Sequence, residues 1–154
     1  MPLYSFWSGT LGSRDNQRGR KRENYRKAYD GFEPERVAKY DDKKIEELMN
    51  NPGIIRNRRK IEASINNANR FLEIVEEFGS FDRYIWSFVN YKPVKNQWKD
   101  LSEIPAFTDL SIRISKDLKK RGFKFLGPTI VYSHLQATGL INDHLVDCFR
   151  YNEV

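Results

Sequence analysis

From Arg56 to Phe78 the apolar residues Ile61, Ile65, Ala68, Leu72, Val75 and Phe78 recur at steps of three and four. That spacing follows the 3.6-residue turn of an α-helix and lines the six side chains up as one apolar stripe. Gly79 stops the pattern, and Phe81 to Val89 reads as a second, short helix rich in aromatic residues. The segments on either side carry further helix signals. Residues 22–30 read as a helix stopped by Gly31, and Glu33-Pro34 opens another turn, because the N–H that proline lacks would be unpaired at a helix start anyway. Asp41 is a candidate N-cap for a helix from Lys43 to Asn50, and Asn51-Pro52-Gly53 is a break. Residues 90–105, with two prolines among polar residues, read as an irregular excursion. Ser111 or Asp109 then caps a helix running through Arg121, and Pro128 lies in the first turn of a last helix that Gly139 closes. No internal repeat is visible and strand candidates are few. The expectation is an all-α fold.

Residues 1–20 stand apart. They have no apolar periodicity and contain Gly9, Gly12 and Gly19, which reads as a flexible leader ahead of a single domain over residues 21–154. Hydrophobic residues make up 39% of the chain and aromatics 14%, enough for a packed core and against wholesale disorder. No run of about 18 apolar residues exists to span a membrane. The opening Met-Pro-Leu-Tyr-Ser-Phe-Trp lacks the basic start and apolar stretch of a secretory signal. Cys148 is the only cysteine, so no intrachain disulfide forms, in keeping with a reducing compartment. The expected location is the cytoplasm and the expected state a monomer.

The net charge of +6 points weakly to polyanions, and its distribution points more strongly. Between Ser111 and Phe125 stand Arg113, Lys116, Lys119, Lys120, Arg121 and Lys124 against one acid, Asp117, and a second basic cluster is Arg56, Arg58, Arg59 and Lys60. The first cluster brackets Gly122-Phe123-Lys124-Phe125-Leu126-Gly127, a six-residue connection between two helices. Glycine at both ends permits a tight turn with positive φ. The N–H groups that start the next helix, around Thr129, are exposed and unpaired in such an arrangement. Lys119, Arg121, Gly122, Lys124, Gly127 and Thr129 therefore form a candidate site for a DNA backbone phosphate, bound without sequence preference. An αα-corner with a solvated basic face accounts for the same spacing.

Five runs carry a resemblance. They are Lys21-Arg22-Glu23-Asn24-Tyr25-Arg26, Asn51-Pro52-Gly53-Ile54-Ile55-Arg56-Asn57, Tyr84-Ile85-Trp86-Ser87-Phe88-Val89-Asn90, the run from Leu118 to Gly127, and Gly139-Leu140-Ile141-Asn142-Asp143-His144-Leu145-Val146-Asp147-Cys148. In order and approximate spacing they resemble the DNA-3-methyladenine glycosylase I family over about residues 21–150. The resemblance implies a helix-hairpin-helix DNA glycosylase fold. It also implies base-excision repair of alkylated double-stranded DNA, by hydrolysis of the N-glycosidic bond of 3-methyladenine. Such enzymes extrude the damaged nucleotide from the duplex. The alkylated base is cationic and already a good leaving group, so an aromatic pocket, a carboxylate and exclusion of water can suffice.

The resemblance also implies features that this chain does not carry. In the family, a segment just before the Lys-Arg-Glu-Asn-Tyr run supplies a base-contacting glutamate, a stacking tryptophan and residues that plug the duplex. Here Phe6 to Gln17 fills that place without a glutamate, so no catalytic residue is assigned, and the fold is expected to be incomplete at the N-terminus. A structural zinc with two cysteine and two histidine ligands is implied as well. His144 and Cys148 match one half of that set, at a His-x3-Cys spacing that suits one helical face, and the other half has no counterpart. Read without the resemblance, the pair is an ordinary histidine and a buried thiol. Two origins of the odd N-terminus remain open: a shifted reading frame or misjoined exon, which the abrupt end of the match near Lys21 favours, or a truncated paralogue without catalysis. Alternatives to an active glycosylase are a non-catalytic DNA-binding module and a structural protein whose basic face only confers solubility.

Overall fold

The computed structural model of the chain describes residues 17–153. Seven α-helices lie among them: α1 (Gln17–Ala28), α2 (Pro34–Val37), α3 (Asp42–Met49), α4 (Arg58–Phe78), α5 (Phe81–Ser87), α6 (Asp109–Lys120) and α7 (Pro128–Ala137). Single 3-10 turns occupy Asp30–Phe32, Leu101–Glu103 and Phe149–Asn152. Two two-residue strands, β1 (Val94–Lys95) and β2 (Ile141–Asn142), pair in parallel with Val94 opposite Ile141. The fold is the expected all-α one. Of the segment read as a leader, residues 17–20 belong to the first turn of α1, and residues 1–16 lie outside the described residues.

Most helix ends follow from local chemistry. Asp41 accepts the Lys44 amide at the start of α3, Asn57 the Lys60 amide at the start of α4, and Ser80 the Arg83 amide at the start of α5. Gly79, at φ 82°, closes α4 in the left-handed conformation. At α6 the cap is Thr108, not Ser111 or Asp109. The Thr108 hydroxyl accepts the Ser111 amide, and the Ser111 hydroxyl accepts the Thr108 amide in return. The helix read over 22–30 stops at Ala28, and Gly31 adopts φ 71° inside the following 3-10 turn.

The long α4 is the spine, packed by α2, α3 and α5, while α6 and α7 pack on one another. Its buried face is turned by about one residue from the expected stripe. Ile61, Ser64, Asn67, Ala68 and Ile74 are buried, whereas Ile65, Val75 and Phe78 are only half-buried. Hydropathy could not find this face because its centre is polar: Ser64 donates back to the Ile61 carbonyl, and Asn67 serves another element. Tyr84 and Ile85 of α5 and Ile114 and Leu118 of α6 share one core with Val131 and Leu135 of α7. Trp86 and Phe88 are half-buried against that core, Phe88 edge-on to Tyr84 at 5.3 Å.

Several of the five runs meet as clamps. Asn24 donates to the Gly53 carbonyl and the Tyr25 hydroxyl accepts the Ile55 amide, so α1 holds the turn before α4. A Cβ on Gly53 would come within 3.3 Å of Asn24, which is why that turn ends in glycine. The 90–105 excursion is more ordered than its prolines suggest: β1 seats on β2, and the Trp98 carbonyl accepts the Val146 amide.

Candidate nucleic-acid interface

The α6–α7 connection is built from both ends. Arg121 ends α6, Gly122 turns left-handed at φ 90°, its amide reaches the Lys119 carbonyl and the Phe123 amide the Leu118 carbonyl. That double closure is the Schellman arrangement, with Phe123 and Leu118 joined in the core below it. At Gly122 the positive φ favours glycine, and a Cβ would also press on the Arg70 side chain at 3.2 Å. Gly127 differs from expectation: its φ is −84°, open to any residue, and nothing lies within 4 Å of the place a Cβ would take. The residue with positive φ at the second end of the turn is Phe125, at 59°.

Two asparagines of α4 hold this turn from beneath. Asn67 donates to the Lys124 carbonyl at 2.9 Å and accepts the Lys124 amide at 2.8 Å, as a neighbouring strand would. Asn66 donates to the Gly122 carbonyl at 2.8 Å, and the buried Ser115 hydroxyl takes the Leu126 carbonyl. The carbonyls of Gly122, Lys124 and Leu126 and the Lys124 amide are thus satisfied. The amides of Phe125, Leu126, Gly127 and Thr129 have no protein acceptor among the described residues. Pro128 contributes no N–H, and the Ile130 and Val131 amides both turn back to the Gly127 carbonyl. N–H groups without a protein acceptor at the start of a ten-residue helix are a seat for an anionic oxygen.

The cations around that seat are fewer than the charge count implies. Lys116, Lys119, Lys120 and Lys124 are exposed and make no ion pair among the described residues. Arg121 is committed elsewhere. Its guanidinium grips Glu77 at 2.6 and 3.1 Å, bonds Asp117 at 3.1 Å, and lies 5.1 Å from the ring centres of Phe78 and Tyr84. The Glu77 bond, more than any other contact, raises its pKa and keeps it charged where it is. Arg113 is likewise turned to the Phe88 carbonyl at 2.7 Å. Arg121 ties α6 to α4 and holds up the turn without reaching its outer face. In the second cluster Arg58 pairs with Glu46 and Glu62.

One helical turn beyond Thr129, an open cleft of about 430 Å³ runs along α7, lined by Ser133, Gln136, Ala137, Ile141, Asn142, Asp143 and His144. Asp143 anchors its floor. The carboxylate accepts Asn96 at 2.7 Å, the Trp98 indole at 2.6 Å, Gln136 at 2.8 Å and the Tyr132 hydroxyl. Burial alone would raise its pKa, but these four donors outweigh it and hold the carboxyl below its usual range. A carboxylate so fully occupied organises the cleft and has no lone pair to spare for a proton. Sequence reading missed Asp143, Asn66 and Asn67, since each acts on partners far along the chain.

His144 and Cys148 come together, but not on a helix: residues 143–148 form an irregular loop, contrary to the helical face expected from their spacing. The loop still sets the Cys148 sulfur 3.6 Å from His144 Nδ1. Two ligands of one tetrahedral zinc, at about 2.3 Å for sulfur and about 2.0–2.1 Å for nitrogen, lie roughly 3.6 Å apart, so the half-site fits. The whole site does not. No group of three or more His, Cys, Asp or Glu suited to a metal occurs among the described residues. The chain has no other cysteine, and its one other histidine, His134, is buried in the core at 3% exposure.

Comparison with known proteins agrees with this architecture. DNA-3-methyladenine glycosylase 1 of Escherichia coli K12 is 48% identical over 132 residues, covering 86% of this chain and 71% of the relative. DNA-3-methyladenine glycosylase of Haemophilus influenzae is 45% identical over 129 residues, covering 84% and 70%. Among solved structures, a variant of 3-methyladenine DNA glycosylase I in complex with 3-methyladenine superposes with a TM-score of 0.88 at 39% identity, over 96% of this chain and 81% of the other. The Staphylococcus aureus 3-methyladenine DNA glycosylase I gives 0.87 at 39%, over 96% and 80%. Residues 18–151 match the family model described as methyladenine glycosylase, and the chain belongs to that family.

Proposed function

We propose that this chain acts in DNA base-excision repair as a monomer that hydrolyses the N-glycosidic bond of 3-methyladenine in alkylated double-stranded DNA. The cytoplasm is its place of action in this reading; no helix of the described residues is long and apolar enough to cross a membrane. The observation that carries the proposal is the row of unpaired amides at Phe125, Leu126, Gly127 and Thr129, flanked by Lys119, Lys120 and Lys124. The α6–turn–α7 unit then works as a helix-hairpin-helix element. Its amides and lysines seat a backbone phosphate, with no base edge read. The cleft starts at Ser133, four residues and roughly 6 Å further along α7, which is within reach of a nucleotide swung out beside that phosphate.

Alkylation at N3 puts positive charge on the purine, so breaking the glycosidic bond releases a neutral base and leaves a sugar cation for water to capture. The protein's work is to hold the phosphate, receive the base and exclude bulk water. Asp143 shapes the cleft and takes no proton in this scheme, because its oxygens are occupied. With no free carboxylate in the described cleft, the chain is expected to release 3-methyladenine well below the rate of a relative that carries the family's glutamate. A non-catalytic DNA-binding module is the second reading, favoured by that same occupied carboxylate.

Two measurements test this. Release of 3-methyladenine from methylated duplex separates the readings: detectable turnover above a buffer blank supports the glycosylase, and none supports the binding module. Lys124→Glu should weaken duplex binding and lower the slope of log affinity against log salt by about one unit, since one phosphate contact is lost. An unchanged slope would remove Lys124 from the interface.

On the metal, His144 and Cys148 would hold zinc by two ligands only and brace the 143–148 loop. The purified chain is expected to contain well under one equivalent, lost to a chelator. Stoichiometric, chelator-resistant zinc by elemental analysis would mean that other groups complete the site.

A further inference from the structure

Phe125 is the residue at the tip of the α6–α7 turn that the phosphate site does not explain. Three aromatic residues among the described ones adopt positive φ: Phe32 at 61°, Tyr91 at 58° and Phe125 at 59°. Left-handed backbone is costly for a bulky side chain and persists where something offsets it. Phe32 is buried and stacked on Tyr29 at 5.5 Å, and the Tyr91 hydroxyl donates to the Arg83 carbonyl. Phe125 has no such return. The residue is 51% exposed, and its ring makes no ring contact or hydrogen bond among the described residues.

The turn is nevertheless held firmly in the shape that displays this ring. On one side Asn67 fixes both backbone groups of Lys124, and on the other Ser115 fixes the Leu126 carbonyl. Phe123 and Leu126 point into the core, so Phe125 is the apolar side chain of the turn aimed at solvent. It stands within the row of unpaired amides, next to the exposed Lys124. In a nucleic-acid strand, the groups that flank a phosphate are its two sugars, whose C–H faces are the nearest apolar surface, while the bases lie deeper.

We propose that the Phe125 ring packs on the deoxyribose next to the phosphate seated on the turn, and is a positioning residue that fixes how far the strand slides along the start of α7. The inference rests on the DNA-binding reading above and adds an uncharged contact to it. The ring sets the register between the bound phosphate and the cleft at Ser133.

The test uses a duplex carrying a tetrahydrofuran abasic analogue, with affinity read by fluorescence anisotropy across a salt series. Phe125→Asn keeps a residue that tolerates left-handed backbone and removes the ring. It is expected to weaken binding by about tenfold, in the range of an aromatic contact to a nucleotide, with the salt slope unchanged and the thermal midpoint no lower than that of the native chain. Phe125→Tyr should restore affinity to within about twofold of the native chain, because it returns the same ring face. Lys124→Glu, run alongside, separates this placement from the reading beneath it. If Lys124→Glu weakens binding and Phe125→Asn does not, the ring contact is wrong and the phosphate site stands. If neither weakens binding, both fall. A reduced salt slope in Phe125→Asn, or a tyrosine variant as weak as the asparagine one, also overturns the proposal, since the loss would then come through the phosphate or the turn itself.

Discussion

Replacing Asn67 by leucine is expected to lower the thermal midpoint by about 10 °C and to weaken duplex binding by about tenfold or more. Leucine has as many side-chain heavy atoms as asparagine but cannot exchange two hydrogen bonds with the Lys124 backbone. Each partly buried group left without a partner costs roughly 1–3 kcal/mol, so the two together cost about 2–6 kcal/mol. The binding loss has a different cause. Without Asn67 the turn samples other shapes, and a phosphate has to order it on arrival. Asn67→Asp is the informative companion: it keeps the acceptor for the Lys124 amide and sets a carboxylate oxygen against the Lys124 carbonyl. It should fall between the native chain and the leucine variant in stability only if the accepted bond matters independently. Circular-dichroism melts and anisotropy titrations read both quantities. A leucine variant that melts with the native protein would show that Asn67 does not hold the turn.

The second large effect is on pH dependence. His134 sits in the core at 3% exposure, edge-on to Phe81 at 6.4 Å, and burial pushes its pKa down from 6.5 to about 4. The imidazole is therefore neutral in the folded chain at any pH above about 4. Above pH 6.5 neither state is protonated and the group adds no pH dependence. As pH falls through 6.5 the unfolded chain takes up a proton that the folded chain refuses, so stability is lost steadily until pH reaches about 4. The loss over that window is about 3 kcal/mol, from the depression of the folded pKa. Asp143, whose pKa is also depressed, adds a further loss, but only at lower pH where unfolded carboxylates protonate. His134→Gln should be less stable at neutral pH, and its stability should change little between pH 6.5 and 4.5. Denaturant melts at half-unit steps measure this, and an equally steep profile in the variant would assign the acid sensitivity to another group.

Much of the fold was legible in the chain because helix ends are short-range events. Asp41 sits three residues from the amide it caps, Gly79 follows the last apolar residue of α4, and Pro128 starts α7 where its missing N–H does no harm. Each is decided within one turn of backbone, so residue order alone suffices. The five runs that marked the family were legible for a related reason. Asn24 and Tyr25 clamp the Gly53–Ile55 turn, and Asp143 gathers Asn96, Trp98, Tyr132 and Gln136, so these residues are tightly constrained even where they touch no substrate.

Only the tertiary structure decided which charged and polar groups are free to act. Six cations around the α6–α7 turn look alike in sequence, yet Arg121 is held by Glu77, 44 residues away, while Lys124 is left exposed. Asn67 lies in the middle of an amphipathic helix, outside the apolar stripe that the sequence shows, and its purpose is a carbonyl 57 residues on. Gly122 is left-handed as its place suggested, but the second left-handed residue is Phe125 and not Gly127, because a backbone angle in a turn is set by what grips the turn from below. His144 and Cys148 meet at ligand distance without the helix their spacing suggested. In each case local order specifies the residue, but its hydrogen-bond or ion-pair partner is chosen by packing between distant elements, and that choice separates a group that supports the site from one that can touch DNA.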